Sequence, residues 1–288
     1  MSEFGPEATA DDILQHVDLR GRRVLVTGVT SALGAETARA LAARGASVVG
    51  ATRCPGNGVD ALFPGRGDIA LTRLDLASLA SIDRCADRLG REGRAFDLVI
   101  AHAAVRTDSY STAHGVELHM GINHLGHFAL VQQITPLLSP GARLVMVSSE
   151  AHRLADLDLD DPSFRSTPFD GRTAHARSKT ANVLLALEFD RRHRDKGIRA
   201  MAANPGPFDK SNGPSTGRTI GQAAATTVWC GVVASAAAIG GRYCETCRVA
   251  DVVERQDAEY GVRGYAMDGE SAERLWAWSQ DILGARLQ

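Results

Sequence analysis

The most constraining feature lies between Val24 and Gly34, where a short apolar run, Val24-Leu25-Val26, ends at Thr27-Gly28 and Ala35, Ala38, Leu41 and Ala42 then recur at helical spacing. This reads as strand, glycine turn, helix. The alternation continues: Ser47 to Thr52 and Ala70 to Leu74 read as strands, Leu79, Ile82, Ala86 and Leu89 form one face of a helix, and Leu98-Val99-Ile100 is the next strand. Leu118, Ile122, Leu125 and Ala129 mark a further helix, Leu144 to Val147 a strand, Ala174 to His193 a long helix and Ile198 to Ala202 another strand. Strands alternating with helices predict an α/β fold, a doubly wound parallel sheet in three layers, α/β/α. Ligands of such sheets sit beyond the carboxyl ends of the strands, so the residues after each strand are those to read for chemistry.

A chain of 288 residues that is 44% hydrophobic can bury one substantial core, which predicts a single domain over 1–288. Within it, residues 1–20 read as a lead-in, and 150–173 and 206–221 as loops walling a substrate pocket, the second rich in Gly, Pro, Ser and Thr. The net charge is −2, with 32 basic and 34 acidic residues interspersed, so no electrostatic footprint for nucleic acid or an anionic membrane emerges. Met1 to Asp12 is polar and acidic and lacks a secretion-signal pattern, and five scattered cysteines make no disulfide framework; both predict a cytoplasmic protein. Thr219 to Gly241 carries no charge, but its Ala, Gly, Thr and Ser content predicts a tightly packed buried helix in place of a membrane span.

Thr27-Gly28-Val29-Thr30-Ser31-Ala32-Leu33-Gly34 has the build of a phosphate-binding turn, whose small residues let a helix N-terminus approach a pyrophosphate; a ligand-free tight turn would look the same. Folds that select NAD place an acid at the end of the second strand, about twenty residues on, to hold the ribose hydroxyls. This chain has Ala51-Thr52-Arg53 there, and a guanidinium suits a 2′-phosphate, so NADP(H) is favoured over NAD(H). Asp75-Leu76, after the third strand, is placed to meet an adenine edge.

The turn, Asp75-Leu76, Asn123-His124-Leu125-Gly126-His127-Phe128, Val147-Ser148-Ser149, Ser178-Lys179 and Asn204-Pro205-Gly206 follow one another in an order and spacing that resemble the retinol-dehydrogenase-like branch of the short-chain dehydrogenases/reductases. Gly241-Arg242-Tyr243, Cys247 and Ala272-Glu273-Arg274-Leu275-Trp276 look like the end of bacterial members, so the resemblance runs from about Thr9 to Leu283. It implies a Rossmann-type sheet and an oxidoreductase of small molecules. It also implies roles: the turn (Thr27, Gly28, Thr30, Ser31, Ala32, Leu33, Gly34), Arg53, Asp75, Leu76, Ala101, Pro205 and Gly206 on NADP, Asn123 supporting a proton relay, Ser149 polarising the substrate oxygen, and Lys179 on the nicotinamide ribose.

Four residues before Lys179, on the same helical face, the family has its catalytic tyrosine; this sequence has His175. The middle glycine of the turn is Ala32, and the Asn-Asn-Ala-Gly segment after the fourth strand is Ala101-His102-Ala103-Ala104. Exchanging a phenol for an imidazole changes acid strength by several pKa units, and an imidazole beside the Lys179 ammonium is pushed toward its neutral form, a better base than acid. Three readings stay open. His175 acts as base, or as N–H donor to a carbonyl, in alcohol–carbonyl redox chemistry. Alternatively, Asn123, Ser149, His175 and Lys179 perform non-redox acid–base work such as cyclisation, dehydration or isomerisation, or the chain is an inactive binding module.

Other signals carry less. His124 and His127 share a helical face near His119, but no carboxylate–histidine metal signature accompanies them, and no metal is expected. Cys244 and Cys247 form one isolated Cys-x-x-Cys, and Asp156, Asp158, Asp160 and Asp161 lack the glycine and glutamate of a calcium loop. Phe164, Phe169 and Phe208 can line an apolar pocket or simply pack. The branch suggests an apolar, secondary-metabolite-like carbonyl substrate and a homo-oligomer, dimer or tetramer, paired through helices expected at Gly115 to Leu138 and Ala174 to His193.

Overall fold

The computed structural model describes residues 4–56, 68–208, 217–255 and 258–284. After a one-turn helix α1 (Ala10–Ile13), strand β1 (Arg23–Thr27) is buried along its whole length, as a parallel strand covered on both faces must be. Helix α2 (Ala32–Ala42), strands β2 (Ser47–Thr52) and β3 (Ile69–Arg73), helix α3 (Leu79–Arg91) and strand β4 (Phe96–Ala101) follow. A small hairpin, β5 (Thr112–Ala113) and β6 (Val116–Glu117), leads into α4 (His127–Ile134), then β7 (Leu138–Val147), α5 (Gly171–His193) and β8 (Arg199–Asn204). The chain closes with α6 (Ile220–Val228), α7 (Ala236–Ile239), β9 (Tyr243–Glu245), β10 (Arg248–Val249) and α8 (Gly269–Gly284).

The main sheet runs β10-β9-β8-β7-β4-β1-β2-β3, parallel throughout except for β10. The order reverses between β1 and β4, and that switch point opens the crevice where a doubly wound sheet holds its ligand. Helices cover both faces with separate apolar cores, one built on Leu25, Val99 and Leu144, the other on Val24, Val26 and Val145. Side chains of Ser31, Ser78, Asp170 and Thr219 accept the N–H groups left free in the first turn of α2, α3, α5 and α6, which is why these helices begin where they do.

Two expected helices are corrected. The segment Gly115 to Leu138 is not one helix: β6 occupies its start, Met120–Gly126 winds as a π-helix, and only His127–Ile134 is α-helical. The wider π-turn rotates successive side chains differently from an α-helix. His124 Nε2 meets Ser279 Oγ at 2.7 Å, whereas His127 Nε2 meets Thr27 Oγ1 at 3.0 Å. Thr219 to Gly241 is likewise interrupted, by a π-turn at Trp229–Val233 before α7. Among the described residues no helix is long and apolar enough to cross a membrane.

The two helices expected to pair with another copy, α4 and α5, both touch α8 of the same chain. Trp276 of α8 packs edge-on to Phe128 of α4 at 5.0 Å and against Phe189 of α5 at 6.4 Å, with the Arg192 guanidinium 4.5 Å from its ring centre.

Candidate active site

A cleft of about 290 Å³ opens at the switch point, lined by Gly28, Thr30, Ser31, Ala51, Thr52, Arg53, Asp75, Leu76, Ala103, Ala104, Val105 and Ile122 among others. The tight approach of turn and fourth-strand loop makes it. Gly28 has φ +73°, and a Cβ there would stand 2.7 Å from Ala103 Cα. Ser31 caps α2 through the Gly34 N–H at 3.1 Å and donates to the Gly28 carbonyl at 2.9 Å. The Gly34 position admits no Cβ without collision with the Gly28 carbonyl.

Not every predicted cofactor residue borders this cleft. Thr27 is a buried strut: its hydroxyl oxygen accepts the N–H groups of His102 and Ala103 at 2.9 and 3.0 Å. Leu33 is buried in the core and Ala101 lies inside β4, while Pro205 and Gly206 lie just past the end of β8, where Arg218 Nη1 donates to the Pro205 carbonyl at 3.2 Å. The Ala32 methyl borders a groove between α2 and α6, beside Thr219 and Gly221, away from the cleft. The expected lid over 206–221 falls largely on residues 209–216, outside the described residues.

At its inner end the cleft meets the polar cluster through Val105, whose N–H donates to Asn123 Oδ1 at 2.8 Å and whose carbonyl accepts from Asn123 Nδ2 at 3.1 Å. Asn123 also donates to Ser178 Oγ at 3.0 Å, so its amide clamps the loop after β4 to α5. Lys179, almost fully buried, donates from Nζ to the Val147 carbonyl at 3.0 Å, and burial lowers its pKa to about 8. Ser149 Oγ accepts the Ala151 N–H at 3.1 Å, which leaves its hydroxyl proton available to another acceptor.

His175 stands one turn before Lys179 on α5, with Nδ1 buried and without a hydrogen-bond partner. Burial first, then the charges of Lys179, His119 and Arg106, push its pKa down to about 3, against a small opposing effect of the Val105 carbonyl. The imidazole is neutral at every ordinary pH. His102, at the second position of the degraded Asn-Asn-Ala-Gly segment, is similar: burial, then Lys179 and His127, lower its pKa to about 4, and its Nε2 is buried without a partner. Unpartnered buried nitrogens cost about 1–3 kcal/mol each and are tolerated where a ligand completes them.

Sequence spacing places His119 only beside His124 and His127 and passes over Glu117 and Arg106, though His119 packs on the ring of His175, Glu117 holds His119 and Arg106 acts on His175 through its charge. Glu117 and His119 form a fully buried pair, Oε1 to Nδ1 2.7 Å, and the His119 ring stands edge-to-face against His175. Arg106 is exposed on the loop after β4. The spacing Glu117-Leu118-His119 was visible, but only the hairpin β5–β6 turns it toward α5.

The loop over 150–173 is organised by Asp161, whose carboxylate accepts from the N–H groups of Arg165, Ser166 and Thr167 and from both hydroxyls. Burial opposes ionisation, yet these donors hold the Asp161 carboxyl well below the usual range. Phe164, Phe169 and Tyr110 pack edge-to-face in sequence at 5.4 Å. Cys244 and Cys247 are buried free thiols. Among the described residues no three His, Cys, Asp or Glu side chains gather around a metal-sized site.

The short chain dehydrogenase family matches residues 22–219. The chain is 36% identical to a protein of Streptomyces lividans named "Probable oxidoreductase", over 93% of this chain and all of that one. It is 32% identical to human retinol dehydrogenase 12, over 94% of this chain and 89% of the relative. A crystal structure of an uncharacterised protein from Mycobacterium paratuberculosis superposes with a TM-score of 0.79 at 31% identity, covering 96% of this chain and 97% of that one.

Proposed function

This chain belongs to the short-chain dehydrogenase family, and we propose that it is an NADP(H)-dependent reductase of a small apolar carbonyl compound in which His175 takes the place of the family's tyrosine. The observation that carries this reading is His175 itself: a neutral imidazole with a buried, unpartnered nitrogen, held between Val105 at the end of the cleft and Lys179. The cleft fits a dinucleotide, with Gly28 and Ser31 at the helix N-terminus for a pyrophosphate, Arg53 at the rim for a 2′-phosphate and Asp75-Leu76 for a purine.

Reduction of a carbonyl needs one hydride, which NADPH supplies when bound, and one proton, which the chain's own residues must hold. An imidazole with a pKa near 3 is a poor base, so His175 serves as an N–H donor that polarises the carbonyl, together with the free hydroxyl proton of Ser149. The proton given up is restored from Lys179, one turn along the same helix and acidified by burial. Asn123 keeps the Val105 loop against α5, which holds the donors in register.

Two results are expected. Arg53→Asp weakens NADPH binding, read by fluorescence titration, by about 10- to 100-fold, the loss of a charge-assisted bond worth roughly 1.5–3 kcal/mol, with little effect on NADH. Equal weakening of both cofactors removes Arg53 from phosphate recognition. The rate kcat/KM declines as pH rises through about 8, because the protonated Lys179 required is present below that value and lost above it, and no limb appears near 6.5 because His175 does not titrate there. A limb centred at 6.5 in a pH–rate profile contradicts the donor role.

A non-redox acid–base enzyme is the second reading, favoured by two neutral imidazoles, His102 and His175, each with an unpartnered buried nitrogen in the field of one ammonium. It expects substrate conversion by protein stripped of cofactor. Stoichiometric oxidation of NADPH excludes it.

A further inference from the structure

We propose that Glu117 and His119 are positioning residues that hold the ring orientation of His175, so that a nitrogen and not a carbon faces the substrate; this rests on the reading of His175 as the donor. A tyrosine at position 175 presents one hydroxyl whichever way its ring turns about its axis, whereas a half-turn of an imidazole puts a carbon where each nitrogen stood. The chain offers no hydrogen bond to His175 Nδ1 and only the Val105 carbonyl beside the ring, so a packing contact is needed to hold the ring against turning.

That contact is His119, whose ring centre lies 5.8 Å from that of His175 at an interplanar angle of 71°. The His119 ring is fixed at both ends. Its Nδ1 lies 2.7 Å from Glu117 Oε1, and its Nε2 accepts the Thr107 N–H at 3.2 Å, which places its proton on Nδ1. Glu117 is fixed in turn, its Oε2 accepting the N–H groups of His119 and Met120 at 2.9 and 3.3 Å. Both residues are completely buried, so the pair has no solvent route by which to relax. The contact at Thr107 also ties the pair to the loop whose Val105 end is clamped by Asn123, so one loop carries both the ring stop and the inner end of the cleft. The arrangement has the logic of a carboxylate that orients an imidazole, carried one ring further.

The test is His119→Gln, a side chain able to accept from Thr107 and donate to Glu117 while removing the ring, read first by ¹⁵N NMR of histidine-labelled protein without substrate, the His175 signals being assigned by their loss in His175→Ala. We expect wild-type His175 in a single tautomer and ring orientation, His119→Gln with a mixed or exchanging population, and kcat reduced on the order of 10- to 100-fold at unchanged KM. A single unchanged His175 tautomer and ring orientation in His119→Gln overturns the proposal. Should that variant fail to fold, Glu117→Gln, which keeps acceptors for the two backbone N–H groups but loses the charge opposite His119, is read in the same way. The NMR readout judges the pair even if His175→Ala retains turnover, an outcome that would fail the catalytic reading alone.

Discussion

His175→Ala lowers NADPH-linked carbonyl turnover by about 10²- to 10⁴-fold, the usual contribution of one positioned proton-transfer group, while NADPH affinity stays within a factor of about two. The two effects separate because His175 is no part of the cleft lining that Arg53, Gly28 and Asp75 provide. Steady-state kinetics with fluorescence titration reads both, and turnover within tenfold of wild type removes His175 from the reaction. His175→Tyr is the informative partner. If Ser149 and Lys179 retain the family's geometry, a phenol there restores reduction to at least the wild-type rate. If the pocket works as a cofactor-independent acid–base site, the same substitution abolishes its activity.

The second large effect is acid lability. His124, His127 and His152 are completely buried, and burial, the leading cause in each, lowers their pKa values to about 3, 4 and 4. Because the folded pKa lies below the unfolded value of 6.5, the unfolded chain binds more protons between about 6.5 and 4, and stability falls as pH drops through that window. At pH 5 each unfolded histidine gains about 2 kcal/mol by protonation that the buried one does not, roughly 6 kcal/mol for the three, comparable with the whole stability of a typical domain. Glu245 and Asp156, whose pKa values burial raises, act in the opposite direction and soften the loss. Thermal melting should show Tm level between about pH 7 and 8 and falling steeply from 6.5 to 4.5. A melting temperature unchanged down to pH 4.5 would show that these rings take up protons without unfolding the chain. His124→Gln, which removes the imidazole facing Ser279, should reduce proton uptake on unfolding at pH 5 by about one.

The sheet was legible because its signal is local. β1 and β2 lie where apolar runs end at turn residues, whereas the start of α5 at Gly171, capped by Asp170, was not read from the chain. The cleft was partly legible for the same reason: Gly28, Thr30, Ser31, Arg53, Asp75 and Leu76 follow strand ends and line it, whereas Thr27 and Leu33, beside them in sequence, and Ala101, at the end of β4, turn into struts and core. Strand alternation is a backbone property that places every second side chain, but which neighbour closes over it is set by the next element.

The sequence by itself therefore determined the fold class, the position of the glycine turn after β1 and the place of His175 one turn from Lys179, since all follow from residue identity and helical spacing. Only the tertiary structure decided the π-turn at Met120–Gly126, the different partners of His124 and His127, the packing of α8 on α4 and α5, and the buried Glu117–His119 pair against His175. It also decided the downward shift of the His175 pKa, because that shift comes from burial and from charges brought together across the fold, and neither is encoded in any short stretch of chain.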